Sequence, residues 1–501
     1  MVETRAETEV AILASMGADT DEPEPLRPPA VPDEPCFNGP ERAWGWAVQL
    51  YALRSRDSWG IGDFADLRRF GRWARSTGAS LALLNPLDAQ LPTLPYEPSP
   101  YYPSTRRFRN IVYLRIEDVE GASLANIDTL RERALALNQQ RLIEYDQVFD
   151  LKSNGLRKVF DAAPQPRGLA TYIAQEGAAL RDFAAFNAAC DTHHNPPEFH
   201  AWVQFHLDRQ LSAASREIGL ITDVPVGFNP DGFDARRFSS CFAPRVHVGA
   251  PPDGFFRDGQ DWGLPPIDPW KLDDSRWAPF LDSIRAAFRH AAGIRLDHVM
   301  GLFRLFWIPK EMSPAQGAYV RYPAHALLDL LAHESRRAQA FVIGEDLGLV
   351  EPVVREQLHK KGSLSYRLLW FEDEPPSRWP HDAVAAVGTH DLPTIAGIWT
   401  LSEPEHRLHH LRERLVNLTR MPDDTDPVDV AVEAYRQLAD GIPRIVLASL
   451  DDALGVRERP NVPGTTTEMP NWRLALPMPI EQIETFHGPN RIAEVMRLAG
   501  R

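Results

Sequence analysis

The sequence predicts a (β/α)8 barrel with large insertions at the carboxyl ends of its strands. Short apolar segments recur along the chain, and several are continuous runs, which is typical of parallel strands buried on both faces. Stretches with helical spacing lie between these segments, as in an α/β fold. The eight predicted strands, in chain order, are Trp44–Leu53, Ser80–Leu87, Leu220–Val226, Gly293–Val299, Phe341–Leu347, Tyr366–Phe371, Ala385–His390 and Ile445–Leu450.

The first predicted helix follows the turn Ser58–Asp63 (SWGIGD). The stretch Asp63–Ser76 spaces its apolar side chains three apart, as one face of a helix requires. Asp63 comes directly before that face, so we expect it to cap the helix at the end of a tight turn. The spaced apolar residues are Phe64, Leu67, Phe70 and Trp73.

Two long gaps separate the predicted strands. The chain has 501 residues, whereas a (β/α)8 barrel takes about 250. The first gap, residues 88–219, includes the helical stretch Pro197–Ile218; the second, residues 227–282, is rich in Pro, Gly and aromatic residues and predicts a long loop or a small insertion. Both follow the carboxyl end of a strand, where barrel enzymes carry their active sites. We therefore predict a catalytic barrel over residues 44–501 with insertions at about 88–219 and 227–282.

Residues 1–43 are predicted to form an N-terminal extension. Val2–Met16 has the spacing of a short helix, and Asp19–Pro40, rich in Pro and acidic residues, predicts a linker or an ordered tail on the barrel surface. The extension lacks the basic-then-apolar pattern of a secretory signal, and no apolar run in the sequence approaches the ~20 residues of a membrane span. Three widely spaced cysteines indicate free thiols in a reducing compartment. We expect a cytoplasmic protein with no membrane contact.

Composition narrows the class further. Hydrophobic residues make up 44% and charged residues 25% of the chain, close to the averages of globular proteins. With 54 basic and 69 acidic residues the net charge is −15, which disfavours a nucleic-acid partner. The sequence indicates no particular oligomeric state.

Carboxylates stand at the ends of three predicted strands: Asp297, Glu345 and Asp391. Because the carboxyl ends of barrel strands meet at one mouth, we expect these side chains to converge. Burying acidic groups there costs free energy unless they have a use. A converging pair suits glycoside chemistry, in which one carboxylate attacks the anomeric carbon and the other protonates the leaving oxygen. The predicted strand ends also carry Asp223, Arg295, His298 and His390.

Other interpretations stay open from the residues alone. The three carboxylates are also compatible with separate helix caps or ion pairs, or with a metal site, although the sequence has no HxH or HExxH pair. Aromatic residues in the predicted mouth loops favour an extended sugar, whose rings have apolar faces; the alternative is that the loops simply pack through them. These aromatic residues are Tyr96, Tyr101, Tyr102, Phe255, Phe256, Trp262 and Trp270.

A series of motifs runs in order from about residue 44 to about residue 480. They are Ser58–Asp63 (SWGIGD), Ser99–Asn110 (SPYYPSTRRFRN), Asp223–Pro230 (DVPVGFNP), Gly249–Pro252 (GAPP), Gly259–Pro266 (GQDWGLPP), Arg295–Pro309 (RLDHVMGLFRLFWIP), Gly344–Gly348 (GEDLG), Gly388–Asp391 (GTHD), Asn461–Thr465 (NVPGT) and Asn471–Arg473 (NWR). With these motifs the chain resembles the 4-alpha-glucanotransferases, or amylomaltases, of the α-amylase clan. GQDWGLPP and SPYYPSTRRF are specific to this family.

The resemblance implies a role for each matching residue. Asp297 matches the nucleophile, Glu345 the general acid/base, and Asp391 the carboxylate that stabilises the transition state. Tyr101 matches the stacking platform at the reacting sugar, with Tyr102 as an alternative because the motif has two tyrosines. The remaining implied substrate-binding residues are Asp223, Asp253 in a loop over the cleft, Trp262 as an acceptor platform, Arg295, His298 and His390.

The implied activity is transfer of an α-1,4-glucan segment from a maltooligosaccharide or glucan to the 4-OH of glucose or another glucan. The resemblance implies no cofactor and no metal, since two carboxylates supply the nucleophile and the proton. An α-glucan hydrolase with the same residues is an alternative, because water and sugar compete for one intermediate. A non-catalytic glycan-binding barrel is a second alternative, disfavoured by the three intact carboxylates.

Overall fold

The computed structural model describes residues 30–252, 257–272, 275–348, 350–402, 406–465 and 468–501. Eight parallel strands close a barrel in the order β1, β2, β5, β8, β11, β12, β13, β14. The strands are β1 (Ala43–Val48), β2 (Leu81–Leu84), β3 (Asp88–Ala89), β4 (Thr105–Arg109), β5 (Gly219–Val224), β6 (Val246–Ala250), β7 (Gln260–Leu264), β8 (Gly293–Leu296), β9 (Arg304–Pro309), β10 (Ala318–Arg321), β11 (Phe341–Gly344), β12 (Leu364–Leu368), β13 (Ala383–Ala386) and β14 (Ile445–Ser449).

The predicted (β/α)8 barrel is confirmed. Each of the eight predicted segments overlaps one barrel strand, and the strands are shorter because polar mouth residues and turns follow them. The first prediction, Trp44–Leu53, ran past β1 into the helical turn Leu50–Ala52. Neighbouring strands approach closely: a Cβ at Gly45 would overlap the carbonyl oxygen of Leu81 on β2.

Apolar side chains fill the inside of the barrel, as its strand composition requires. Most of them are aromatic or branched, so the interior is a packed core that supports the mouth above it. The cluster comprises Ala43, Leu81, Leu83, Ile221, Phe341, Ile343, Leu364, Tyr366, Leu368, Val384, Ala386, Ile445 and Leu447.

Helices surround the barrel and fill the insertions. Those described are α1 (Phe64–Ser76), α2 (Asp128–Ala136), α3 (Tyr145–Ala162), α4 (Leu169–Cys190), α5 (Pro197–Ser215), α6 (Phe233–Arg237), α7 (Ala278–Phe288), α8 (Ala324–Ala338), α9 (Pro352–Lys360), α10 (Ile395–Trp399), α11 (His406–Thr419), α12 (Pro427–Ala439), α13 (Leu450–Ala453), α14 (Ile480–Ile483) and α15 (His487–Leu498). None of these described helices combines the length and the apolar character needed to cross a membrane.

The turn before α1 is a buried structural element. Asp63 caps the helix through the amides of Ala65 and Asp66, and the Asp66 side chain accepts the Asp63 amide in return. Arg115 Nε lies 2.7 Å from Asp63 Oδ2, and Lys152, fully buried, lies 3.4 Å from the same oxygen. The SWGIGD turn therefore joins the barrel to the insertion after β2, since Arg115 and Lys152 both lie in that insertion.

A four-stranded antiparallel sheet, ordered β10-β9-β6-β7, combines segments from two different connections. Strands β6 and β7 lie between β5 and β8, in the stretch for which the sequence predicted a long loop or small insertion, and β9 and β10 lie between β8 and β11. Its apolar face buries Val248, Leu264, Leu305 and Trp307. Strands β6 and β7 thus come after β5, which carries Asp223, and β9 and β10 come after β8, which ends directly before Asp297.

Residues 30–42 pack on the surface of the barrel, whereas residues 19–29 of the predicted linker or tail lie outside the described residues. The Cys36 amide donates to the Lys361 carbonyl oxygen at 2.8 Å, and the Phe37 amide donates to Ser335 Oγ at 2.9 Å. The predicted helix Val2–Met16 lies outside the described residues.

Candidate active site

Strand register brings the first two carboxylates side by side. Leu296 of β8 pairs with Gly344 of β11. Asp297 and Glu345 are the next residues on these neighbouring strands, so both side chains arise at the same level of the mouth. Asp223 of β5 pairs with Arg295 of β8 on the other side.

Arg295 connects the buried charges at the centre of the mouth. Its Nη1 lies 2.7 and 2.6 Å from the two oxygens of Asp223, and its Nη2 lies 3.1 Å from Asp297 Oδ1. The guanidinium is only 4% exposed. Burial disfavours its charge, but Asp223 and Asp297 outweigh that effect and hold the pKa of Arg295 well above its usual value. A permanent cation therefore stands beside Asp297.

Asp297 and Glu345 have different proton affinities. Burial raises the pKa of Asp297 to about 6, opposed by the Arg295 charge and assisted by Asp223. Burial raises the pKa of Glu345 further, to about 8, and the charge of Asp297 adds to the effect. At a pH between these two values Glu345 is therefore protonated and Asp297 is ionised.

Backbone amides fix the Glu345 side chain. Its Oε2 accepts the amide of His298 at 2.8 Å, and its Oε1 accepts the amide of Leu347 at 3.1 Å. His298 also has a left-handed backbone (φ 46°), a conformation that costs a non-glycine residue about 1 kcal/mol or more.

Asp391 lies in a separate polar pair. His390 Nε2 is 3.4 Å from Asp391 Oδ2, and Asn461 Nδ2 donates to Asp391 Oδ1 at 2.6 Å. Burial acts to raise the pKa of Asp391, but the His390 charge and these hydrogen bonds outweigh it, so the pKa is lowered. Burial lowers the pKa of His390, but Asp391 outweighs that effect and raises it overall. Asp391 is thus a carboxylate that stays ionised.

Tyr101 is the tyrosine of the SPYYP motif that reaches this cluster. Its hydroxyl donates to Asp223 Oδ2 at 2.6 Å, and its ring centroid lies 4.9 Å from that of His390. Tyr102 instead packs with the cluster around β7 and Trp307. Of the two tyrosines, Tyr101 is therefore the one that contacts Asp223 and His390.

Trp262 and His298 pack against each other and form a wall beside Asp297. Trp262 lies on β7, not in a loop, and its ring stands at 81° to that of His298 with a centroid distance of 5.5 Å. Burial lowers the pKa of His298 to about 4, and Arg304 adds to the effect, so this imidazole is neutral. Asp253 and the aromatic pair Phe255 and Phe256 lie outside the described residues.

Two of the aromatic candidates lie elsewhere. Tyr96 is 4% exposed and donates to Asn110 Oδ1 at 2.6 Å within the packed insertion. Trp270 is 40% exposed in a short turn capped by Asp268. Tyr96 therefore packs its loop, the alternative that the sequence left open.

Some mouth residues were missed by sequence reasoning. Trp472 packs against both Tyr101 and His390 with centroid distances of 5.1 Å, and Asn461 binds Asp391. Both belong to quoted motifs, NWR and NVPGT, to which no role was given. Asp451 and Asp452 come soon after β14, so their position after a barrel strand could have marked them in the same way as Asp297.

Within the described residues, no three His, Cys, Asp or Glu side chains are grouped so as to hold a metal ion.

A barrel with two carboxyl groups on adjacent strand ends, the pKa of one raised more than that of the other, is typical of a class of enzymes: those that act on glycosidic bonds with paired carboxyl groups. The family profile described as 4-alpha-glucanotransferase matches residues 48–197 and 189–479. The chain belongs to this family.

Individual relatives agree with that assignment. The 4-alpha-glucanotransferase of Mycobacterium tuberculosis (strain H37Rv) is 37% identical over 91% of this chain and 75% of its own length. That of Haemophilus influenzae is 30% identical over 89% of this chain and 78% of its own. The crystal structure of amylomaltase from Corynebacterium glutamicum superposes with a TM-score of 0.85 at 31% identity, covering 91% of this chain and 75% of that one. Amylomaltase from Streptococcus agalactiae shares the fold, with a TM-score of 0.77 at 17% identity over 92% of this chain and 99% of that chain.

Proposed function

We propose that this enzyme of the 4-alpha-glucanotransferase type works by a retaining double displacement, with Asp297 as nucleophile and Glu345 as general acid and base. The observation that carries the proposal is the unequal pair at the ends of β8 and β11: the pKa of Asp297 is raised to about 6 and that of Glu345 to about 8. At a pH between these two pKa values Asp297 is ionised and can attack, while Glu345 is protonated and can donate its proton.

In the first step the ionised Asp297 carboxylate bonds to C1 of the donor glucose while the bond from C1 to the 4-oxygen of the next glucose breaks. Glu345 gives its proton to that leaving oxygen. Arg295, 3.1 Å from Asp297, favours the ionised nucleophile before attack. The product is a glycosyl-enzyme ester with the cleaved glucan released.

In the second step Glu345, now ionised, takes the proton of an acceptor 4-OH. The acceptor oxygen bonds to C1, and the ester bond to Asp297 breaks, which restores both carboxyl groups. Two inversions at C1 give net retention of the α configuration.

The remaining mouth residues bind the reacting sugar in this proposal. Asp391, kept ionised by His390 and Asn461, accepts hydrogen bonds from hydroxyl groups of the sugar ring. Its negative charge stabilises the positive charge that develops at C1. Tyr101, held by Asp223 and backed by Trp472, stacks on the ring. Arg295 orients Asp223 through both carboxylate oxygens.

We propose that Trp262 and His298 bind the acceptor, together with Asp253, for which the family resemblance implies a substrate-binding role. In this proposal Trp262 offers an apolar face to a sugar ring, and its ring stands at 81° to that of His298, the residue directly after the nucleophile. A bound acceptor sugar keeps water from the glycosyl-enzyme, so this wall favours transfer over hydrolysis. The proposed donors and acceptors are maltooligosaccharides and α-1,4-glucans.

We also propose a domain organisation and a cellular compartment for this protein. We propose residues 44–501 as one catalytic unit with insertions at about 88–219 and 227–282, and residues 1–43 as an extension. We propose a cytoplasmic location, in support of which Cys36, Cys190 and Cys241 are all free thiols.

Incubation with maltotriose tests the activity. Transfer yields glucose together with a ladder of longer chains, whereas hydrolysis yields only shorter products. Chromatography of the products over time is expected to show chains of four or more glucose units early in the reaction. At that stage the amount of free glucose should not exceed the amount that transfer alone releases. A product mixture limited to glucose and maltose would support the hydrolase instead.

A further inference from the structure

The backbone at Glu345 is held by main-chain hydrogen bonds on the side of β8. The Glu345 amide donates to the Leu296 carbonyl oxygen at 3.1 Å, and the Glu345 carbonyl oxygen accepts the Val299 amide at 3.1 Å. On the side of β12, the strand pairing ends one residue earlier, at Gly344 and Ser365. The position of the chain on that side therefore depends on side chains.

Asp346, the residue directly after Glu345, provides the contact to β12. The Ser365 amide donates to the Asp382 carbonyl oxygen at 3.2 Å, on the side of β13. The next amide of β12, that of Tyr366, donates to Asp346 Oδ1 at 2.9 Å. A carboxylate oxygen thus takes the place that a backbone carbonyl would have if the two parallel strands went on pairing.

Two arginines hold the rest of Asp346. Arg355 of α9 has its Nε 3.3 Å from Asp346 Oδ2, and its Nη2 donates to the Asp346 carbonyl oxygen at 3.3 Å. Arg367 of β12 has its Nη2 3.8 Å from the same Oδ2. Asp346 is only 2% exposed, so water screens these charges little. Both the side chain and the main chain of Asp346 are therefore fixed.

The peptide group that follows Asp346 carries this restraint to Glu345. Its N–H belongs to Leu347 and donates to Glu345 Oε1 at 3.1 Å. Its C=O belongs to Asp346 and is the group that Arg355 holds. Because a peptide group is planar and rigid, a movement of Asp346 also moves the donor that orients the Glu345 carboxyl group.

We propose that Asp346 is a positioning residue, which holds Glu345 where it can protonate the leaving oxygen. The inference rests on the proposed function, in which Glu345 is the general acid. A general acid has to lie within hydrogen-bond reach of the oxygen that it protonates, and a displacement of about 1 Å can cost about 100-fold in rate. The loss of Asp346 is therefore expected to slow proton transfer and not the binding of substrate.

The test compares two donors that differ in their need for a proton. Cleavage of maltotriose needs the acid, whereas maltosyl fluoride has a leaving group that needs no proton. Asp346→Asn removes the charge that faces the two arginines. It is expected to lower kcat for transfer from maltotriose about 10–100-fold, with KM within about twofold of the wild-type value. The first-turnover rate of fluoride release, measured with a fluoride electrode, is expected to stay close to that of the wild type.

A second variant and a matched control accompany Asp346→Asn. Arg355→Leu removes the hold on the Asp346 carbonyl oxygen from a partly exposed site, and a smaller loss with the same selectivity is expected. Glu334→Gln is the control, because Glu334 on α8 is 1% exposed and is also held by two arginines, Arg285 at 2.8 Å and Arg337 at 2.6 Å. It is expected to show no selective loss on maltotriose. Thermal unfolding curves check that each variant is folded.

An equal loss on both donors would show that Asp346 acts only through the packing of the mouth, which overturns the inference. Full kcat on maltotriose in both Asp346→Asn and Arg355→Leu would also overturn it. Glu345→Gln is measured in the same assays. If that variant loses fluoride release as strongly as transfer from maltotriose, Glu345 is not the acid and the proposed function is contradicted, so the two failures are distinguishable.

Discussion

Glu345 Oε2 lies 2.8 Å from the backbone nitrogen of His298, the residue that directly follows Asp297. This hydrogen bond ties the proposed acid to the segment that carries the proposed nucleophile. The Leu347 amide donates to the other oxygen of Glu345 at 3.1 Å, so the Glu345 carboxyl group is held by backbone groups and not by flexible side chains alone. Preorganisation of this kind is what a double displacement requires.

We predict a bell-shaped dependence of kcat/KM on pH. Activity rises as Asp297 ionises near pH 6 and falls as Glu345 loses its proton near pH 8, since these are the values to which burial raises their pKa. The two limbs belong to the coupled pair. In Glu345→Gln the alkaline limb is expected to vanish for maltosyl fluoride, whose leaving group needs no proton, while the acid limb stays. An unchanged alkaline limb would identify another group as the acid.

Replacing Glu345 is predicted to stabilise the fold at alkaline pH. Burial raises its pKa from 4.5 to about 8, so the folded state binds the proton more tightly than the unfolded chain. The stability from that proton is present below about pH 4.5 and is lost as pH rises to about 8. Calorimetry is expected to show Tm of Glu345→Gln exceeding that of the wild type by roughly 2–4 °C at pH 9, with a smaller gap at pH 5. The exposed Glu132→Gln serves as control; parallel Tm curves for wild type and Glu345→Gln would contradict the raised pKa.

Tyr101→Phe isolates the hydroxyl that binds Asp223 at 2.6 Å. The ring remains for stacking, so the expected loss is about 10-fold in kcat/KM, the size of one hydrogen bond to a charged group. Tyr101→Ala also removes the ring and should cost considerably more. Equal losses in the two variants would mean that the ring contributes no stacking, and steady-state kinetics on maltotriose with both variants decide the point.

Trp262→Ala is predicted to raise the ratio of hydrolysis to transfer. Stacking of an acceptor ring is worth about 1 kcal/mol, a factor of about five in occupancy, so acceptor capture suffers more than cleavage of the first bond. Glucose release and chain elongation are measured together on maltotriose. Trp270→Ala, which removes a tryptophan that is 40% exposed, is the control; an equal fall in both products for Trp262→Ala would show a general loss of loop packing.

The barrel could be predicted, and the carboxylates that we propose as catalytic could be located, because both leave local signals. Buried strands are continuous apolar runs, and Asp297, Glu345 and Asp391 stand out as charges at their ends. The sheet of β6, β7, β9 and β10 left no such signal, because β8 separates β6 and β7 from β9 and β10 along the chain. Trp472 contacts Tyr101 from a distant part of the chain, a proximity that no spacing rule reveals.

Trapping of the glycosyl-enzyme tests the central claim most directly. Glu345→Gln treated with maltosyl fluoride should form the ester quickly and release it slowly, because the base for the second step is gone. Mass spectrometry of the digested protein is expected to find the maltosyl adduct on the peptide at Asp297, and Asp297→Asn in the same background should form none. An adduct on another residue, or transfer products with inverted configuration and no adduct, would contradict Asp297 as the nucleophile of a retaining transferase.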